Sequence, residues 1–139
     1  MTTAIDTNIL LDVLIPNEAF YRASAEAMEQ SAGGVLVVCD IVYAELAVHF
    51  ESQEDCDEFL ESNDIRVEPL TRRAHFLASR AWRMYRRSGG TRSRILADFL
   101  IGSHAQEQAT RLLSRDRGFY RELFPSLTVV DPTRQLENP

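Results

Sequence analysis

Short β-branched runs alternate with longer amphipathic stretches along the chain, and this alternation constrains the fold more than any other feature. VLVVC (35–39) has no polar alternation, which is what a strand covered on both faces requires. TTAID (2–6), IRVEPL (65–70), RLLS (111–114) and LTVVD (127–131) read as further strands. Between them lie helices: TNILLDVL up to Pro16, a second over about 17–31 stopped by Gly33-Gly34, and DIVYAELAVHF capped by Asp40. A helix over roughly 53–62 follows, then a long one from the Thr71 cap to about Ser88, then ILADFLIGSHAQEQ, and a short one beginning near Arg117. Strands separated by helices predict an α/β fold with a parallel sheet covered on both faces. Because crossovers are right-handed, the chain order must reverse somewhere in such a sheet for its two faces to be covered. Ligand crevices form at that switch point, beyond the carboxyl ends of the strands.

The 139 residues, 45% of them hydrophobic, suit a single domain spanning 1–139 with a polar tail from about 133. MTTAID carries no basic leader, and no window approaches the roughly 18 apolar residues of a membrane span, so a cytoplasmic protein without a membrane partner is expected. Cys39 and Cys56 are too few for a disulfide framework and are expected to be idle thiols. Charge is divided sharply: residues 1–70 hold 15 acids and 2 Arg, a balance of −13, whereas residues 71–139 hold 6 acids and 13 Arg, a balance of +7. The basic half is compatible with a polyanion and equally with a solvated face. There is no Lys, which excludes a Walker A loop, Schiff-base chemistry and a protein kinase.

Four acids interrupt apolar surroundings: Asp6 in AIDTNIL, Glu45 in IVYAELAV, Asp98 in ILADFLIG and Asp116 in LLSRDRGF. Asp6 ends the first strand, Asp116 follows the strand RLLS, Asp98 lies in the first turn of its helix, and Glu45 is about one and a half turns into its own. Taken singly, each has an ordinary reading as a helix cap, a solvated charge or a salt-bridge partner. Taken together at one sheet edge they could not all stay ionised, because like charges raise one another's pKa. A hard divalent cation relieves that repulsion, takes oxygen ligands and is commonly shared with phosphate oxygens. Phosphodiester hydrolysis is the reaction such an arrangement suits best.

The segments AIDTNILLDVL, IVYAEL, ILADFLIGSHA and LLSRDRGFY, with FPSLTVVDP near the end, resemble the PIN domain, and specifically the VapC toxins of toxin–antitoxin pairs. The resemblance covers about residues 3 to 132. It implies a three-layer α/β/α domain with a central parallel sheet of about four or five strands. It also implies a homodimer with Mg²⁺- or Mn²⁺-dependent endoribonuclease activity, held in check by a cognate VapB-type antitoxin. The family's four acids fall on Asp6, Glu45, Asp98 and Asp116. By this resemblance Asp6, Asp98 and Asp116 ligate metal directly or through water, Glu45 helps place it, and RNA is cut to a 5′-phosphate and a 3′-hydroxyl. Asn8 matches a frequent supporting Asn, and Ser114 stands where the family commonly has Thr, so both are expected to orient the carboxylates. Ser103 replaces a frequent Ala. Arg94, Arg115 and Arg117, close in sequence to the acids, are candidates for RNA backbone contacts.

His49, His75 and His104 are not favoured as ligands, since Mg²⁺ prefers carboxylate. Trp82, among Arg80, Arg83, Arg86 and Arg87, could stack a base or pack a core or dimer seam. Ile9, Leu10, Val13 and Leu14 exceed what a short helix needs for the core, and some are expected to form a groove for an antitoxin helix. A phosphatase of the haloacid dehalogenase type and a receiver domain also place Asp after a first strand. Both need a Lys that is absent here. A catalytically weak PIN-like module that only binds RNA or protein is the alternative that stays open.

Overall fold

The computed structural model describes residues 1–90 and 95–134. Its five strands are β1 (Thr2–Ile5), β2 (Val35–Cys39), β3 (Ile65–Glu68), β4 (Arg111–Leu113) and β5 (Val129–Val130). They form one all-parallel sheet in the order β3-β2-β1-β4-β5. The expected α/β class and strand number therefore hold. The helices among the described residues are α1 (Thr7–Leu14), α2 (Tyr21–Ser31), α3 (Asp40–Ala47), α4 (Gln53–Ser62), α5 (Arg72–Arg87), α6 (Leu96–Gln108) and α7 (Arg117–Leu123).

The chain builds outward from β1 to β2 to β3, then returns across the sheet to β4 on the other side of β1. With right-handed crossovers, this reversal puts the α1–α4 connections on one face and α5, α6 and α7 on the other. The switch point lies between β1 and β4, which pair from Thr3↔Arg111 to Ile5↔Leu113. Ile5, Val38, Leu112 and Leu113 in the central strands are buried, as are Ile9, Leu10, Val42, Leu46, Leu60 and Phe99 on the helices around them. Beneath α6 and α7, Phe99 meets Phe119 edge to face with ring centroids 5.3 Å apart, and Phe119 meets Tyr120 at 4.9 Å. Gly102 of α6 is closely packed there, since a Cβ would stand 2.5 Å from Phe124 Cε2.

Several boundaries differ from the sequence reading for local reasons. The second helix starts at Tyr21, not near Asn17, because the Asn17 carboxamide oxygen accepts the Phe20 N–H at 2.7 Å and holds a turn there. Asp40 lies inside α3, with Cys39 at the cap, and its carboxylate accepts the Leu70 N–H, tying α3 to the end of β3. Thr71 does cap α5, its Oγ1 accepting the Ala74 N–H at 3.1 Å. Gly89, at φ +78°, closes that helix in a left-handed conformation that side chains disfavour. Thr133, at the start of the polar tail, is buried and bound through its N–H and hydroxyl to Asp131, so packing extends at least that far. Ile9 and Leu10 are both 0% exposed, which removes them from any antitoxin groove. The core takes them because α1 lies beneath α2 and α3 rather than on the surface. Among the described residues, no helix is long and apolar enough to cross a membrane.

Candidate active site

Asp6 sits at the switch point. It follows the last residue of β1, and its N–H extends the ladder to the Leu113 carbonyl of β4 at 2.9 Å. The same residue is the N-cap of α1, with extended backbone (φ −76°, ψ 155°), and Oδ1 accepts the Thr7 N–H at 2.7 Å. Its Oδ2 accepts from the Ser114 hydroxyl at 2.7 Å, from the Tyr120 hydroxyl at 3.1 Å and, at the limit of a hydrogen bond, from Asn8 Nδ2 at 3.5 Å. A carboxylate so heavily solvated by donors would ordinarily be strongly acidic. Asp6 is only 6% exposed, however, and burial outweighs its donors, with a further contribution from the Glu45 charge, so its pKa is pushed up to about 6.

The other three acids reach this point by different routes. Glu45, on the exposed side of α3, accepts the Thr7 hydroxyl at 2.6 Å, so the residue after Asp6 links the two carboxylates. Asp116, half-buried after β4, donates its N–H to Ser114 Oγ at 2.9 Å while that hydroxyl donates to Asp6. Ser114 thus holds one acid by its proton and the other by its lone pair. Asp98 occupies the first turn of α6, where Oδ2 accepts the Ile95 N–H at 3.1 Å and satisfies an otherwise orphan donor of the helix start. The structure brings all four to one edge. The clearest sign is Tyr120, whose hydroxyl is pushed well above its ordinary pKa by burial, by its contact with Asp6 and by the charges of Asp98 and Asp116.

Asn8 and Ser114 both lie within hydrogen-bond reach of Asp6. Asn8 Oδ1 accepts the Arg115 N–H at 3.2 Å and Nδ2 reaches Ser114 Oγ at 3.4 Å, tying α1 to the loop after β4. The candidate RNA contacts fare differently. Arg115 is engaged inside the protein, its Nε and Nη2 donating to the two oxygens of Asp12 at 2.8 and 3.0 Å while its guanidinium lies 4.1 Å from the centre of the Phe20 ring. Arg117 has a buried Nε with no hydrogen-bond partner among the described residues, and burial followed by the Arg134 and Arg121 charges lowers its pKa. Arg94 lies outside the described residues.

Three participants escaped the sequence reading. Tyr120, four residues after Asp116, was recognisable only as another aromatic in RGFY. Thr7 looked like the ordinary start of a helix. Asp12, not singled out in the sequence, is 2% exposed, accepts from Arg115, Asn17 and Ser24, and anchors the loop that carries Asp116. His104 is buried with Nε2 2.9 Å from Glu68, while His49 and His75 are exposed, so none of the three joins the acids.

The side-chain groups at the edge are four carboxylates, three hydroxyls (Thr7, Ser114 and Tyr120) and the Asn8 amide, an oxygen-rich set that fits a hard divalent cation and no soft metal. The fit is strengthened by Asp6, a carboxylate whose ionised form is costly in the apo protein and would be compensated by a cation. Among the described residues no three Asp, Glu, His or Cys side chains converge closely enough to enclose a metal alone. Mg²⁺ characteristically takes one or two carboxylates and completes its shell with water and substrate phosphate.

No curated protein sequence matches the chain. Solved structures match it along nearly its whole length. VapBC-1 from nontypeable Haemophilus influenzae aligns with a TM-score of 0.71 at 17% identity, covering 96% of this chain and 100% of that one. VapBC2 from Rickettsia felis, solved bound to a DNA fragment from its promoter, gives 0.67 at 21% identity, with 94% and 98% covered. A toxin–antitoxin complex from Klebsiella pneumoniae gives 0.68 at 19% identity, with 94% and 97% covered. At such identities the likeness speaks for the fold. The model of the PIN domain matches residues 3–122, which takes in all four acids, and with the parallel sheet and the acidic edge at its switch point it establishes that this chain belongs to the PIN domain family.

Proposed function

We propose that this chain is a divalent-metal-dependent endoribonuclease, the toxin of a type II toxin–antitoxin pair, working in the cytoplasm as a homodimer and inhibited by a VapB-type antitoxin. PIN domains are in general nucleases that use divalent metal, and the chain's own contribution is the geometry at β1 and β4. The observation that carries the reading is Asp6: a carboxylate buried at the switch point, held by Thr7, Ser114 and Tyr120, and reluctant to ionise without a cation.

Asp6, Asp98 and Asp116 are the residues that would hold Mg²⁺ or Mn²⁺, directly or through water, with Glu45 in support. When bound, such a cation draws charge from phosphate oxygens and makes water a better nucleophile at neutral pH. The chain's side chains do the positioning. Thr7 N–H fixes Oδ1 of Asp6 while Ser114 and Tyr120 fix Oδ2, so the carboxylate plane is set before any ligand arrives. Asp98 accepts the Ile95 N–H at Oδ2, and Oδ1 has no hydrogen bond among the described residues. The Asp12–Arg115 pair and Asn8 hold the loop that presents Asp116. Support for an antitoxin comes from the fold neighbours solved as VapBC and toxin–antitoxin complexes. Half-buried Val13 and Leu14, with Ile15 exposed, remain available to a partner helix on α1.

The deciding experiment is cleavage of structured RNA by purified protein in Mn²⁺ and Mg²⁺, with chelator and with Asp6→Asn and Asp98→Asn as controls. Cleavage that needs the metal and both acids, leaving 5′-phosphate ends, is expected. A folded protein that cuts no RNA in either metal would return the chain to the binding-module alternative.

A further inference from the structure

We infer that the outward face of α5 is a second RNA-binding surface, which grips the strand flanking the cut site; this rests on the reading of RNA as substrate. The helix buries Ala74 and Ala78 and packs along α6, with Ser103 Oγ donating to the Ala74 carbonyl and the Tyr85 and Phe99 rings 5.4 Å apart. On the opposite side Phe76, Arg80, Arg83 and Arg87 follow one another at spacings of four, three and four, which lines them up along a single stripe. All four are exposed, Phe76 at 57%. The 16 residues of α5 hold six Arg and no acid, in a protein whose net charge is −6.

Little within the fold neutralises that charge. Arg73 pairs with Glu107 at 2.6 Å, but Arg80, Arg83 and Arg87 have no acidic partner among the described residues. Two guanidiniums lie instead over rings, Arg80 at 4.7 Å from the Phe76 centroid and Arg86 at 5.1 Å from Trp82. Flat Arg–aromatic pairs offer stacking platforms for unpaired bases, and planar guanidinium forks match phosphate oxygens. From Arg80 to Arg87 the stripe rises roughly 10 Å, enough to meet successive phosphates of one strand. Its position is also apt. α5 and α6 run antiparallel, since Arg73 lies by Glu107 and Tyr85 by Phe99, so the Arg87 end of the stripe points to the same end of the domain as Asp98.

RNA binding by the Asp6→Asn protein, which leaves α5 intact and its probe uncut, tests this. A fluorescent structured RNA of tRNA size and a single strand of about six nucleotides are titrated over a range of NaCl concentrations. Both probes are titrated with and without Arg80→Gln/Arg83→Gln/Arg87→Gln. The triple variant, folded by circular dichroism, is expected to weaken the long RNA about 30-fold or more near 0.1 M salt and to flatten its log Kd–log salt slope by about 2. The short strand, which can occupy the cut site alone, should lose much less affinity than the long RNA. Undiminished long-RNA binding overturns the assignment, as does equal loss on both probes. So does a change in oligomeric state with RNA binding intact, which would make the face a protein interface. Binding through α5 without cleavage in Mn²⁺ would keep this surface and discard the ribonuclease, whereas cleavage of long RNA with an unimpaired triple variant would do the reverse.

Discussion

Replacing Asp6 by Asn should stabilise the metal-free protein at neutral pH and destabilise it in acid. The carboxyl goes from 3.8 in the unfolded chain to about 6 in the fold. At about 1.4 kcal/mol per tenfold change in proton affinity, the ionised form costs the fold about 3 kcal/mol well above pH 6. The sign follows from proton binding: between 3.8 and about 6 the folded state takes up the proton more readily, so stability falls as pH rises through that window and levels off above it. Asn keeps an oxygen for the Thr7 N–H but turns an amide toward Ser114 and Tyr120, whose hydroxyls must rotate to accept, at about 1 kcal/mol. Asp6→Asn should therefore be more stable by about 2 kcal/mol at pH 8, a Tm rise of roughly 6 to 8 °C, and less stable by about 0.5 kcal/mol near pH 4. Urea melts of both proteins from pH 4 to 8 in chelator isolate the effect, because every other titrating group cancels in the difference. Adding Mg²⁺ should then raise the stability of the unmodified protein alone. A difference that stays flat across the pH range would refute the claim that Asp6 is a buried carboxylate poised for a cation.

Tyr120→Phe removes a donor that lowers the pKa of Asp6 while leaving the ring in the Phe99–Phe119–Phe124 cluster. Mn²⁺ affinity measured by calorimetry should fall about tenfold, with its onset moved to higher pH; an unchanged isotherm would make Tyr120 a packing residue only. Arg115→Ala strands Asp12, which is 2% exposed, and should cost about 3 kcal/mol in urea melts, whereas adding Asp12→Asn should recover part of the loss. Strictly additive losses would show that the two are not coupled. Gly102→Ala drives a Cβ to 2.5 Å from the buried Phe124 ring and should cost about 1 to 3 kcal/mol despite the better helix propensity, read as a lowered Tm.

The alternation of β-branched and amphipathic segments was sufficient for the parallel α/β fold, because strand and helix periods are local and the handedness of crossovers is general. The four acids were equally legible, since an acid inside an apolar run is conspicuous wherever it lies. What local pattern could not supply was pairing across the chain. Ser114 bridges Asp6 and Asp116 because β1 and β4 are neighbours, although more than a hundred residues separate them. The same pairing makes Tyr120 part of the site and hands Arg115 to Asp12 instead of to a ligand. Ile9 and Leu10 looked like spare apolar surface on a short helix, and only the layers stacked on α1 turned them into core. Sequence by itself determined which chemical groups and which elements this protein has. Tertiary structure alone decided their surroundings, and with them the charge state of Asp6, because desolvation depends on what the rest of the chain lays over a carboxylate.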